Sequence, residues 1–490
     1  MILALILMPT LAGAALFLTR SRRVGGVLLP VCALVHLVLT LASWQMSPAP
    51  ARGGWLMLDA TGKLFLTVIS VVFLMTVVYV RGFPRPETAD PSDGDGGFWE
   101  SSSSESRFQG CLLLLLGTMS LVTASQHLGL LWVAIEATTL ASAPLIYYQR
   151  NSRSLEATWK YLLICSVGIA LALLGNFFLE VAAAKVEGVH GRSMVLSELT
   201  RNAGQFDKVW VKAAFILLLI GYGTKMGLAP MHTWLPDAYS ESPSVAAPLL
   251  SGALINCAFI GVLRAQQVCT AAGLASFGED AILLLGLLSM AVAAVFILGQ
   301  TDYKRLLAYS SVENMGIMAV GVGLGGTGAF GSLLQAVNHS FTKAMLFFVA
   351  GNVLLVYKTH AIAQVRGLMG RVPVTGALWL AGFMAITGTP PFGTFVSEFS
   401  ILKTALDQGR YGIAAAYLAL LGLIFIGMAT AFLGMAQGEH EEKSAGRVKL
   451  HWMSVAPPLL LASVVLALGL YLPPPLTELL RVAAHSLGGL

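Results

Sequence analysis

Fourteen apolar runs, most of them about 20 residues long, divide this 490-residue sequence. A run of that length matches a helix crossing the hydrocarbon core of a bilayer. The runs cover approximately 2–19, 24–44, 62–82, 110–125, 128–148, 158–183, 209–229, 244–267, 280–299, 304–323, 328–357, 375–404, 411–436 and 453–472. They are continuous rather than alternating, which argues against a β-barrel. Charged residues are only 11% of the chain, against roughly 25% in a soluble domain. Apolar residues reach 56% and mean hydropathy is +0.76. So few charges cannot cover a soluble globule. Composition therefore excludes a cytosolic enzyme, a disordered chain and a disulfide-rich secreted domain. The predicted fold class is an all-α, polytopic membrane protein with about fourteen transmembrane helices. Met1 to Leu18 carries no charge before Arg20. Lacking a basic n-region, it reads as a first transmembrane helix rather than a signal peptide.

Lysine and arginine set the orientation. With the N-terminus outside, the inside loops hold seventeen of them and the outside loops and termini ten, while Lys225, Lys343 and Lys403 lie at membrane depth. The bias places both termini outside. The net charge of +5 reflects these loops and implies no nucleic-acid partner. Cys32, Cys111, Cys165, Cys257 and Cys269 form no CxxC pair and sit in or beside apolar runs. They read as small buried hydrophobes. No ligand set for nickel, an iron–sulfur cluster or haem appears, nor any nucleotide-binding glycine loop. No cofactor is expected in this chain, and any redox chemistry belongs to a partner.

Two runs are interrupted. The seventh leads into Gly227, Pro230 and Pro236, and the twelfth contains Gly388-Thr-Pro390-Pro391-Phe-Gly393. Such spans are commonly broken helices beside a cavity. They lie five helices apart, so helices 4–8 and 9–13 read as two five-helix repeats. An odd number of spans per copy makes the repeats inverted. The expected division is 1–109 (three helices and an inside loop), 110–268 and 280–437 (the repeats), and 438–490 (the last helix and a short tail). Residues 84–107 are acidic and rich in serine, glycine and proline, and are expected to form a flexible inside loop.

An ionisable residue at membrane depth costs at least about 2.5 kcal/mol on insertion scales. Several together imply a hydrated polar path. Glu136 lies mid-span without a local basic partner, and Lys225 is the expected one. Burying such a pair seldom stabilises a protein, but moving a proton near it changes both members. His339 and Lys343 are four apart and share a helical face, where an imidazole can pass a proton between its nitrogens. Glu398 follows the Pro390-Pro391 break, at the exposed end of a half-helix. Lys403 is five residues on, off that face, and either joins the row or snorkels. Glu313 is open as a proton site or as the partner of another chain's charge. His232, Asp237 and Glu241 form either a proton-access funnel or caps and loop contacts. Glu180 and Arg264 read as interfacial.

Three segments carry a resemblance: GYGTKMGLAPMHTWLPDAYSESPS at 221–244, TDYKRLLAYSS from 301 and QAVNHSFTKAMLF from 335. Together they resemble the antiporter-like membrane subunits of respiratory complex I and their relatives, over helices 2–13. The resemblance implies fourteen helices, two inverted five-helix repeats and a chain of buried charges along the membrane plane. Glu136 matches the family's helix-5 glutamate and Lys225 its helix-7 lysine. His339 and Lys343 match polar positions of helix 11, and Glu398 the ionisable site of helix 12. One position departs: complex I members usually carry lysine or histidine in helix 8, where this chain has Asn256 in LSGALINCAF. Asparagine can orient water but cannot hold a proton at neutral pH. Asn256, SSVENMG and GTPPFG look most like the F-type subunits of hydrogenase-four and other group-4 hydrogenase or formate-hydrogenlyase complexes.

The expected function is proton translocation in a redox-driven bacterial inner-membrane complex. Expected partners are other membrane subunits, and peripheral redox subunits holding nickel–iron and iron–sulfur centres. Protons, or alternatively sodium, are the expected cargo. Three rival readings are a sodium/proton antiporter free of redox chemistry, a membrane anchor that no longer pumps, and a partner in inorganic-carbon uptake.

Overall fold

The computed structural model describes residues 1–82, 102–184, 194–438 and 448–488. In chain order the helices are α1 (Ile2–Thr19), α2 (Arg22–Gln45), α3 (Ala60–Gly82), α4 (Ser102–Ala124), α5 (Leu128–Ile146), α6 (Ser152–Ala183) and α7 (Leu196–Asn202). Next come α8 (Lys208–Met226), α9 (Trp234–Glu241), α10 (Ala247–Leu249), α11 (Ile255–Ala271), α12 (Ala275–Ile297), α13 (Tyr303–Leu324) and α14 (Gly326–Tyr357). The last are α15 (Leu368–Arg371), α16 (Pro373–Ile386), α17 (Gly393–Asp407), α18 (Tyr411–Ala436), α19 (Trp452–Leu470) and α20 (Pro474–His485). Among the described residues there is no strand beyond isolated bridges. Twelve described helices are long and apolar enough to cross a membrane.

Both interruptions are breaks in the helix. α8 is capped at its start by Asp207, whose carboxylate accepts from Val209 N at 3.0 Å. It ends where Gly227 takes φ 84°, a left-handed value that suits glycine. The chain turns through Pro230 and His232 and resumes as α9. α16 ends at Ile386, Gly388 has φ 61°, and α17 restarts at Gly393. A third irregularity was not read from the sequence. Residues Leu250–Leu254 form a π-helical turn between α10 and α11, and such turns often mark functional positions.

Packing places α11, α13 and α14 innermost. The apolar window of Ala247–Ala271 is entirely buried, and α13 is buried along nearly its whole length. Outer helices such as α1, α2, α18 and α19 leave most of their apolar side chains facing outward, as lipid-facing helices do. Close approach depends on glycine. A Cβ at Gly221 of α8 would lie 2.6 Å from the Gly168 carbonyl of α6, and one at Gly316 of α13 would lie 2.7 Å from the Gly286 carbonyl of α12. Small residues at helix contacts let backbones meet in this way.

Two expectations change, and the short tail takes a defined form. Of the 84–107 loop, residues 102–107 are the first turns of α4, while 84–101 lies outside the described residues, as do Arg85, Lys185, Arg192, Lys443 and Arg447. The tail forms α20, which buries Leu480, Ala483 and Ala484 and is held where Gln267 Nε2 donates to Ser486 Oγ at 2.7 Å. Arg264 is not interfacial. It is 1% exposed and grips Asp59 at 2.5 and 3.0 Å, because the turn before α3 brings that carboxylate beside α11. Removing one partner of a buried pair leaves an uncompensated charge. Arg264→Met alone should destabilise the chain by about 3 kcal/mol, and adding Asp59→Leu should restore most of it. Unfolding midpoints in detergent check this, and equal losses in single and double variants would contradict it.

Candidate ion-translocation site

The first half of the site forms where α5, α6 and α8 meet. Lys225, in the last turn of α8, is 2% exposed. Its ammonium donates to Thr139 Oγ1 at 2.9 Å and to the Tyr161 hydroxyl. It lies 4.3 Å from the centre of the Tyr161 ring and 6.0 Å from that of Trp234, so two aromatic faces share in holding the charge. Thr139 also donates to Glu136 Oε2 at 3.2 Å, and Ser166 donates to Glu136 Oε1 at 3.1 Å. The expected Glu136–Lys225 pair is therefore bridged by a hydroxyl rather than direct. Thr139 lies one turn after Glu136, so its side chain falls on the same face between the two charges. Tyr161 is held in turn by Ser142 at 2.6 Å.

Asn256 stands in the centre, on the first turn of α11 after the π-helical segment. Its Nδ2 donates to Gly252 O at 3.1 Å and to Ser340 Oγ at 2.8 Å. A Cβ at Gly252 would lie 2.6 Å from the Ser340 carbonyl of α14, so the π turn packs directly on that helix. His339 faces Ser251 of the same turn, and neither ring nitrogen reaches a partner at full hydrogen-bond geometry.

Along α14, Gln335, His339 and Lys343 recur every four residues, about 6 Å apart on one face. Lys343 donates to the Leu307 carbonyl and to Ser310 Oγ of α13. Glu313, one turn beyond Ser310, is buried within electrostatic reach of both Lys343 and Glu398. Glu398 lies in the second turn of α17, 7% exposed, and its Oε1 is 3.3 Å from Gln335 Nε2. Asn314 Oδ1 accepts from the same Nε2 at 2.7 Å, and Ser397 donates to Gln335 Oε1.

Six of the ten sequence-derived residues are thus buried on adjoining helices from α8 to α17, as a row of Lys225, Asn256, His339, Lys343, Glu313 and Glu398. Glu136 joins it half-buried through Thr139. The other three stand apart. Lys403 faces outward and pairs with Asp407 at 2.5 Å, because the five-residue step from Glu398 turns it away from the interior. Asp237 is held by Lys160 at 2.9 Å and Arg305 at 3.2 Å, tying α9 to α6 and α13. His232 is buried in the turn after α8, beside the rings of Phe296 and Tyr309. The sequence reading missed Thr139, Tyr161, Ser310, Asn314, Gln335 and Ser397. They carry no charge, and their only signal was a place next to, or one turn from, a charged residue or His339.

In and beside the row are buried polar atoms with no hydrogen-bond partner among the described residues: Asn256 Oδ1, Glu313 Oε2, both amide atoms of Asn338 and Thr342 Oγ1. Buried polar groups of this kind are satisfied by internal water. Hydroxyls, amides and water between separated titratable groups are the components of a proton path. Among the described residues, no group of three or more His, Cys, Asp or Glu side chains could hold a metal.

The profile of the family described as NADH:quinone oxidoreductase/Mrp antiporter, TM, matches residues 125–427. Over 370 residues the chain is 37% identical to the hydrogenase-4 component F homolog of Methylacidiphilum infernorum, covering 74% of this chain and 76% of that one. It superposes on a chain of the membrane-bound sulfane sulfur reductase, an archaeal respiratory membrane complex, with a TM-score of 0.86 at 21% identity over 99% of this chain and 97% of the other. A chain of respiratory complex I from Thermus thermophilus gives a TM-score of 0.82 at 23% identity over 100% of both. The matched residues include every member of the buried row, and the chain belongs to the NADH:quinone oxidoreductase/Mrp antiporter membrane family.

Proposed function

We propose that this chain is a proton-translocating, antiporter-like membrane subunit of a redox-driven complex of the group-4 hydrogenase or formate-hydrogenlyase type. The observation that carries this reading is the buried row from Lys225 to Glu398. A structural anchor could replace these groups with apolar side chains at little cost. Their retention, spaced by hydroxyls and amides, suits a path along which charge moves. The likeness to a hydrogenase-4 component supports the hydrogenase-linked branch.

In this account protons enter near α9, where His232 and Asp237 lie, and are held around Lys225. They pass Asn256 through water and the α14 face to His339 and Lys343, and leave by way of Glu313 and Glu398. Asn256 orients water rather than binding the proton. The fold is read as fourteen spans in two inverted repeats, with α8–α9 and α16–α17 as the equivalent broken helices and both termini outside a bacterial inner membrane. Neighbouring membrane subunits extend the path. Peripheral partners with nickel–iron and iron–sulfur centres would supply the driving force by changing charge at one end.

Lys225→Ala should abolish proton pumping by the assembled complex and leave the partner's dye-linked redox activity intact; normal pumping would sink the reading. Sodium-dependent exchange without any electron donor would instead favour a redox-independent antiporter. Thr139→Val keeps shape and removes the hydroxyl that joins Lys225 to Glu136. A hydrogen bond to a charged group contributes about 1.5–3 kcal/mol, so pumping should slow about tenfold or more with assembly unchanged. Pumping at the normal rate would show that Glu136 acts by another route.

A further inference from the structure

We propose that Glu398 takes up and releases its proton through Oε2, at the Gly388 break, and that Gln335 is the positioning residue that fixes this choice. The proposal rests on the translocation reading above and adds an atom and a direction to it.

The side-chain atom of Asn314 that lies 2.8 Å from the Ser310 carbonyl must be its NH2 group, because a carbonyl oxygen can only accept. Asn314 Oδ1 is then turned toward Gln335, 2.7 Å away. Two amide oxygens cannot pair, so Gln335 must present its NH2 there. Its oxygen accepts the Ser397 hydroxyl, and the same NH2 group supplies the donor 3.3 Å from Glu398 Oε1. Each step leaves the next side chain one orientation.

Glu398 Oε1 is therefore the acceptor of this contact. A carbonyl oxygen accepts an N–H more strongly than a carboxylic O–H oxygen does, so the Gln335 donor at Oε1 favours the protonated form that carries its hydrogen on Oε2. The incoming proton leaves a water O–H as the Oε2–H bond forms, and the reverse step releases it. Oε2 faces the break between α16 and α17. A Cβ at Gly388 would collide with that atom, and Gly388 has φ 61°. The glycine keeps this face of the carboxyl clear. The amide of Gln335 neither gains nor loses a proton at neutral pH and acts only by orientation. The other ionisable groups around Glu398 are Glu313 on α13 and Tyr417 on α18, with Lys343 of α14 on the other side of Glu313. None of them takes the place of the Gln335 donor at Oε1, which is the hydrogen-bond donor that meets that atom among the described residues.

Infrared difference spectra of the purified complex test this, with Glu398→Gln identifying the Glu398 carboxyl band. In Gln335→Leu the C=O at Oε1 loses its N–H donor, so its stretch should shift to higher frequency. An unchanged frequency would place the proton on Oε1 and overturn the proposal. Gly388→Ala provides a second, independent reading. It crowds Oε2 and should slow hydrogen–deuterium exchange of the Glu398 carboxyl several-fold, whereas exchange at the wild-type rate would overturn the Oε2 route. Retained dye-linked redox activity reports assembly of both variants. The band is read whether or not the complex pumps. A wild-type complex that moves no protons would thus defeat the functional reading without deciding this one.

Discussion

A charge placed at membrane depth has no bulk water to solvate it, so the protein and enclosed water must supply its partners. This requirement organises the structure from α5 to α17. Lys225 is held by a threonine hydroxyl, a tyrosine hydroxyl and two aromatic faces. Lys343 is held by a backbone carbonyl and a serine. Glu398 is held by an amide that two further side chains orient. No member of the row meets an opposite charge in a direct ion pair among the described residues. Neutral groups between charges support them without locking them, unlike a static set of salt bridges.

The backbone follows the same rule. Each irregular segment lies beside the row: the turn after α8 next to Lys225, the π turn next to Asn256 and His339, and the break before α17 next to Glu398. Non-helical backbone at membrane depth is tolerated where it is enclosed by protein or lines a cavity. Glycine at 227, 252 and 388 makes the contacts possible, since a side chain at any of them would meet a neighbouring helix or the Glu398 carboxyl. Arg264 and Asp59 do the opposite work. Their direct, two-armed pair lies away from the row and ties α11 to the start of α3.

Hydropathy made the helices legible, and charge within apolar runs made most of the row legible. Gly227 and Gly388 with their prolines marked both breaks. What sequence spacing could not supply was the neutral half of the site. Thr139, Gln335 and Asn314 reach the charged side chains only because α5, α8, α13, α14 and α17 pack together, and helix contacts in lipid leave little trace in composition. The π turn at 250–254 was hidden for a similar reason, since its residues are ordinary apolar and small ones. For Lys403 the five-residue step from Glu398 leaves two alternatives open, and its outward pair with Asp407 is the one off the row. Arg264 misled because its partner lies 205 residues away.

The most direct measurement is the number of protons moved per electron by the intact complex in sealed vesicles, compared between wild type and Glu398→Gln. The account predicts that electron transfer continues in the variant while the protons assigned to this chain are lost from the ratio. An unchanged ratio would mean that the buried row ending at Glu398 carries no protons, and would contradict it.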